Sequence, residues 1–262
     1  MKCLELFDRP VDLLIQALQP TRDGLFVFQH VPKTAGTSIH HLLQQLPNNF
    51  HWLGDDTEQH SWNAFLQRHY SAPLSVLRGH FKSEHLDDLD RRGLPYQAVT
   101  FVRCPIQQTV SHFRYCHSEG CPNHSYFRET YPDILSFIKL YLKSNFSVEY
   151  MVGPCGSSEE ALEKINDRFS FVGMTEYYNA SMYLLLSSLG LDFQVKPRAN
   201  VTKHGESVEE LLNDEVLEYL HREYAIDIAV FEYFASRYGQ IAERVVEHMF
   251  SIRGAQTDSR AA

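Results

Sequence analysis

Residues 25–46 read LFVFQHVPKTAGTSIHHLLQQL. The first seven, LFVFQHV (25–31), form an apolar run suited to a buried strand. The last nine, SIHHLLQQL (38–46), place Ile39, Leu42, Leu43 and Leu46 at helical spacing. Between them HVPKTAGTS (30–38) must carry the chain from strand to helix. A loop of that kind aims backbone N–H groups and the positive helix end at one point, which suits a phosphate or another oxyanion. Ala35 and Gly36 leave room for close approach, Thr37 and Ser38 offer hydroxyls, and Lys33 adds a point charge. In the phosphate loop of nucleotide triphosphatases, GxxxxGK[ST], the lysine directly precedes the hydroxyl. Here Lys33 stands three residues before Gly36, with no leading glycine. A plain turn with a capping Thr or Ser is the simpler alternative for so short a loop.

Further strands and helices extend the pattern outward. LSVLR (74–78) reads as a second strand and SEHLDDLDRRG (83–93) as a helix closed by Gly93. QAVTFVR (97–103) reads as a third strand, and Pro105 opens a helix to about Cys116. Residues 116–132, with Gly120, Pro122 and Pro132, read as a loop. Helical signal then dominates at 133–144, 158–168, 176–189 and 214–250, the last with an expected break. FSFVG (169–173) is a fourth strand. Short apolar strands separated by helices imply an α/β fold: a P-loop-like parallel sheet flanked by helices, with a helix-rich C-terminal half. Residues 1–253 are expected to form one domain, and GAQTDSRAA (254–262) a disordered tail.

The chain has 262 residues, 24 basic against 33 acidic, for a net charge of −9. Proteins that coat nucleic acid are normally basic, so that class is excluded and any anion site must be local. Five cysteines make no disulfide scaffold. Cys116 and Cys121 could pair across their loop, although free thiols are the expectation. No Cys/His cluster has zinc spacing. No window approaches the roughly 20 apolar residues of a membrane-spanning helix. The expected location is the cytoplasm, or the Golgi lumen if further residues precede Met1.

PKTAGTS after a strand resembles the 5′-phosphosulfate loop of sulfotransferases that use 3′-phosphoadenosine 5′-phosphosulfate (PAPS). It looks most like the carbohydrate branch with the heparan sulfate 2-O- and 6-O-sulfotransferases. A second segment, VRCPIQQTVSHFRY (102–115), carries the other half of the resemblance: a strand ending in Arg103, a proline-started helix, and Ser111 on that helix. The resemblance implies that Lys33, Thr34, Ala35, Gly36, Thr37 and Ser38 hold the 5′-phosphosulfate, and that Arg103 and Ser111 hold the 3′-phosphate. A guanidinium fork plus a hydroxyl suits a monoester phosphate. Where the family usually has an acid after the arginine, this sequence has Cys104. LRGHFKSEHL (77–86) resembles the family's Gly-His segment, which makes His80 the implied base and Lys33 the implied stabiliser of the leaving oxygen.

Competing bases are His30, His85 and Glu84. His40 and His41 lie within the first helix, and His112 reads as a helix-surface residue. Glu176, in a Gly-x-x-Glu element, could shape a pocket but is better explained as a helix cap. The basic loop KPRANVTKH (196–204) sits where the family closes over its nucleotide.

The expectation is therefore a PAPS-dependent O-sulfotransferase with no metal, acting on a hydroxyl-bearing acceptor such as a glycan. A −9 chain is a poor match for a highly sulfated polysaccharide. The rivals are a P-loop small-molecule kinase, disfavoured by the lysine order, and a non-catalytic nucleotide- or glycan-binding module on the same fold.

Overall fold

The computed structural model describes residues 3–20, 24–43, 50–53, 59–67, 75–191 and 208–258. Five parallel strands form one sheet in the order β2-β3-β1-β4-β5: β1 Leu25–Gln29, β2 Phe50–Leu53, β3 Ser75–Gly79, β4 Tyr96–Val102 and β5 Phe169–Met174. Every residue of β1 and β3 is buried, as are the last five of β4. Parallel strands covered on both faces read as continuous apolar runs, which is why these were legible.

The helices are α1 Val11–Ala17, α2 Gly36–Leu43, α3 Gln59–Gln67, α4 Ser83–Arg91, α5 Pro105–Cys116, α6 His124–Thr130, α7 Ile134–Leu140, α8 Phe146–Val152, α9 Ser158–Arg168, α10 Tyr178–Ser188, α11 Val208–Leu211, α12 Asp214–Glu223 and α13 Ala225–Asp258. The α/β class of the sequence reading holds. Asp133, Ser157 and Asn213 cap α7, α9 and α12 by accepting from Ser136, Glu160 and Val216 amides.

Several expectations change. Residues 116–132 are not all loop, because α6 forms there and buries Phe127 beside Phe137. The edge strand β2 and the helices α1, α3, α8 and α11 were not anticipated. The expected break in the last helix falls at Tyr224, and α13 runs to Asp258, so 254–258 is helical rather than a loose tail. In α13, Val230, Phe234, Tyr238, Ile241 and Val245 are buried at helical spacing against the sheet core. Tyr238 also donates its hydroxyl to Val172 O of β5 (2.9 Å). A second apolar cluster joins α5, α6, α7 and α12 through Val110, Phe113, Phe127, Phe137, Val216 and Leu220. It sets α5 in place. No helix among the described residues is long and apolar enough to cross a membrane.

β4 and β5 meet at one tight point. A side-chain carbon at Gly173 would lie 2.5 Å from the Phe101 ring. Gly173→Ala should therefore destabilise the fold by about 1–3 kcal/mol, the cost typical of overpacking. Urea unfolding measures it. Adding Phe101→Leu should recover part of the Gly173→Ala loss, and additive losses would show that this contact is not the cause.

Candidate functional site

The strand order places the site. The chain leaves β1 for β2 on one side of the sheet and β4 for β5 on the other, so the order reverses between β1 and β4. Open parallel sheets bind ligands outside the carboxyl ends of strands at such a point. Gln29 is in register with Gly79 of β3 and Thr100 of β4. His30, His80 and Arg103 consequently leave the sheet at the same end.

The loop after β1 is sharply bent. Lys33 and Ala35 have φ of 68° and 66°, the left-handed region that side-chain-bearing residues avoid. Side chains from three elements hold the loop carbonyls. Gln108 Nε2 of α5 donates to Pro32 O (2.7 Å), Arg103 Nη1 to Lys33 O (3.1 Å), and buried Arg78 Nη2 of β3 to Gly36 O (3.0 Å). In a trans peptide the N–H points opposite the carbonyl. Pinning Pro32 O and Gly36 O therefore turns the Lys33 and Thr37 amides the other way. α2 begins at Gly36, adding the positive end of its dipole.

Individual residues depart from their expected parts. Thr34 is fully buried, and its hydroxyl donates to Val31 O (2.8 Å). It builds the turn, so its hydroxyl is not available to a ligand. Gly36 makes room for protein rather than for an anion: a side-chain carbon there would lie 1.9 Å from His30 Nε2. Ser38 is close enough to Tyr178 to oppose the burial that raises that phenol's pKa. The Thr37 side chain and the basic loop 196–204 lie outside the described residues.

Lys33 Nζ lies 4.3 Å from the centre of the Tyr115 ring. Burial, then the nearby Arg103 charge, lowers the lysine pKa. Gln108, Ser111 and Tyr115 follow one another at helical spacing on α5. Since Gln108 and Tyr115 both contact the loop, Ser111 occupies the face between them. Arg103 is thus bonded to the loop, and Ser111 lies on the face of α5 that turns toward it.

His80 and His30 lie side by side, ring centres 4.2 Å apart, and Arg78 Nη2 is 3.5 Å from His30 Nδ1. His85 is not a rival base. It is buried edge-on to Trp62, and its Nδ1 accepts from the Lys82 amide. Glu84 is exposed on α4. Glu176 does not cap its own helix: it accepts from the Cys104 amide (2.9 Å) at the start of α5. That carboxylate reaches the position after Arg103 where the resemblance expects an acid. Sequence reading also missed Arg78, Gln108 and Tyr115. A lone charge inside the buried run SVLRG was the available signal for Arg78, since such a charge must be matched.

Among the described residues no three His, Cys, Asp or Glu side chains converge as a metal site. No protein-family model matches the sequence, and comparison with curated proteins finds no match. Among solved structures the chain is similar to the mouse sulfotransferase SULT7A1 complexed with PAP, at 13% identity and a TM-score of 0.43, covering 94% of this chain and 95% of that one. It is also similar to a sulfotransferase from Alicyclobacillus acidocaldarius, at 12% identity and a TM-score of 0.43, covering 80% and 94%.

His112 corrects the surface reading. Its ring packs among Phe137, Tyr141 and Phe146, and burial, then Lys33, lowers its pKa to about 4. A histidine held neutral contributes stability that is present above its unfolded pKa of about 6.5 and is lost as pH falls toward the folded value. Between pH 6.5 and 4 this loss should reach about 3 kcal/mol at most. His112→Phe should flatten that part of the stability-against-pH curve. An unchanged curve would show that the histidine is solvated.

Proposed function

We propose that the protein is a PAPS-dependent sulfotransferase acting on a hydroxyl. One observation carries the reading. The two anion motifs meet, with Arg103 after β4 bonded to the carbonyl of Lys33 in the bent loop after β1. A loop amide cradle at a helix start suits the 5′-phosphosulfate. Arg103, with Ser111 on the adjoining face of α5, suits the 3′-phosphate through a charge-assisted fork and a hydroxyl. Lys33, Ala35, Gly36 and Thr37 contribute the cradle chiefly through their main chain, whereas the Ser38 amide already donates to Ala35 O (3.1 Å), which leaves Ser38 only its hydroxyl to offer.

In the reaction the acceptor oxygen forms a bond to sulfur in line with the breaking bond from sulfur to the bridging oxygen. His80 accepts the acceptor's proton, and 3′-phosphoadenosine 5′-phosphate (PAP) departs. Lys33 supplies positive charge to the bridging oxygen as that bond breaks. Its ammonium rests on Tyr115 in the structure, so side-chain rotation brings it to that oxygen. His30, packed against Gly36 and lying beside His80 with its ring tilted 40°, positions the base. The acceptor is a hydroxyl-bearing compound such as a glycan.

Labelled PAPS with a panel of acceptors tests the reading. Transfer supports it. PAP binding without transfer to any acceptor would instead leave a nucleotide-binding module, and phosphoryl transfer from ATP a kinase. Two variants test the roles. Arg103→Ala should weaken PAP binding by about 2 kcal/mol more than it weakens adenosine 5′-phosphosulfate, which lacks the 3′-phosphate. The loss common to both ligands reports the freed Lys33 carbonyl. Equal losses in calorimetry would remove Arg103 from the 3′-phosphate.

His80→Ala should lower kcat by about 10²–10⁴ with PAP affinity near wild type. A variant that keeps most of its turnover would move the base elsewhere, with His30 next.

A further inference from the structure

Behind the loop runs a buried polar chain that ties the two anion segments, through Pro32 and Gln108, to residues outside both. Asn145 and Asp227 cap each other's helices. Asn145 Oδ1 accepts from the Ile226 and Asp227 amides (2.9 and 3.1 Å) at the start of α13. Asp227 in turn accepts from the Ser147 and Val148 amides (2.9 and 2.8 Å) at the start of α8. Ser147 Oγ then donates to Gln108 Oε1 (2.7 Å), and Gln108 Nε2 donates to Pro32 O (2.7 Å). Gln108, Ser147 and Asp227 are all buried.

The direction of each bond is forced. Pro32 O can only accept, so Gln108 must present its NH₂ there. Its carbonyl then faces Ser147, whose hydroxyl must donate. Asp227 fixes Ser147 by holding its amide. The chain runs one way, from the start of the long C-terminal helix to a carbonyl beside the first left-handed residue of the loop.

We propose that Gln108, Ser147 and Asp227 are positioning residues that set the anion loop in its binding geometry. The inference deepens the PAPS reading and rests on it for the identity of the anion. The chemistry is one of restraint. Two side-chain-bearing residues in the left-handed region persist only where surrounding structure over-determines them. Arg78 and Arg103 hold the later carbonyls, and Gln108 is the uncharged one of these three donors, with its amide oriented by the Ser147 hydroxyl. Remove the Ser147 hydroxyl and the Gln108 amide is free to turn.

Two measurements test this, and only one involves the nucleotide. Hydrogen exchange of the amides of 33–38 should quicken about tenfold in Ser147→Ala and in Gln108→Leu, with β4 and β5 unchanged. Ser147→Thr, which keeps the hydroxyl, should restore wild-type exchange. In calorimetry with PAP, each of the two should weaken binding about tenfold, and the double variant should be no weaker than either alone, because both break one chain. Unchanged exchange in Ser147→Ala and Gln108→Leu overturns the proposal, as do additive losses or a lowered melting temperature with PAP affinity intact. If the wild type fails to bind PAP, the nucleotide reading falls, while the exchange result still decides whether the chain positions the loop.

Discussion

Lys33 and Ala35 are held in left-handed backbone, and the carbonyls beside them are gripped by Gln108, Arg103 and Arg78. The conformation costs of the order of 1–3 kcal/mol at each residue. Hydrogen bonds from charged groups contribute about 1.5–3 kcal/mol each, and Gln108 adds a neutral one. The two sums are of similar size, so the loop keeps its shape only while its donors stay in place. Those donors come from β3, from the end of β4 and from α5. Strand pairing and the packing of α5 therefore become requirements of the site, not background to it.

That dependence explains the placing of the second apolar cluster. α5 must present Gln108, Ser111 and Tyr115 to the loop on one face, so its opposite face needs firm support. Val110 and Phe113 supply it by packing on Phe127 and Phe137, which in turn rest near α12. His112 lies between these regimes. Its ring fills space among aromatics, yet it is close enough to Lys33 for the two charges to disfavour one another. Keeping His112 neutral avoids a further positive charge beside Lys33.

The strands and the loop were legible because their signals are local. A run such as LFVFQ is apolar throughout, and PKTAGTS is punctuated by the residues a bend requires. What escaped sequence reading depends on distant partners. α8 is short, and Asp227, some eighty residues on, satisfies its first amides, while Asn145 at its start turns its side chain to α13, so the local cap signal does not report what holds the helix. α6 lies between two prolines and forms through Phe127, which only the folded cluster buries. Thr34 and Gly36 were assigned to the ligand because a motif gives residue types, not directions. The fold turns the hydroxyl of Thr34 inward and fills the space over Gly36 with His30.

Cys104 shows the same limit from the other side. Read along the chain, it is a departure from the acid that the resemblance places after the arginine. In the fold, Glu176 approaches from the turn after β5 and accepts from the amide of Cys104 itself. The carboxylate thus lies against the main chain at the end of β4, where the backbone must turn to aim Arg103 at the loop. β5 can deliver it because Gly173 lets that strand press on Phe101, and because Thr175 bonds back to Val102 O through both its amide and its hydroxyl. A charge missing from one position of the motif is supplied through space by the neighbouring strand. Parallel pairing makes this possible, since it brings the carboxyl ends of β4 and β5 to the same edge of the sheet.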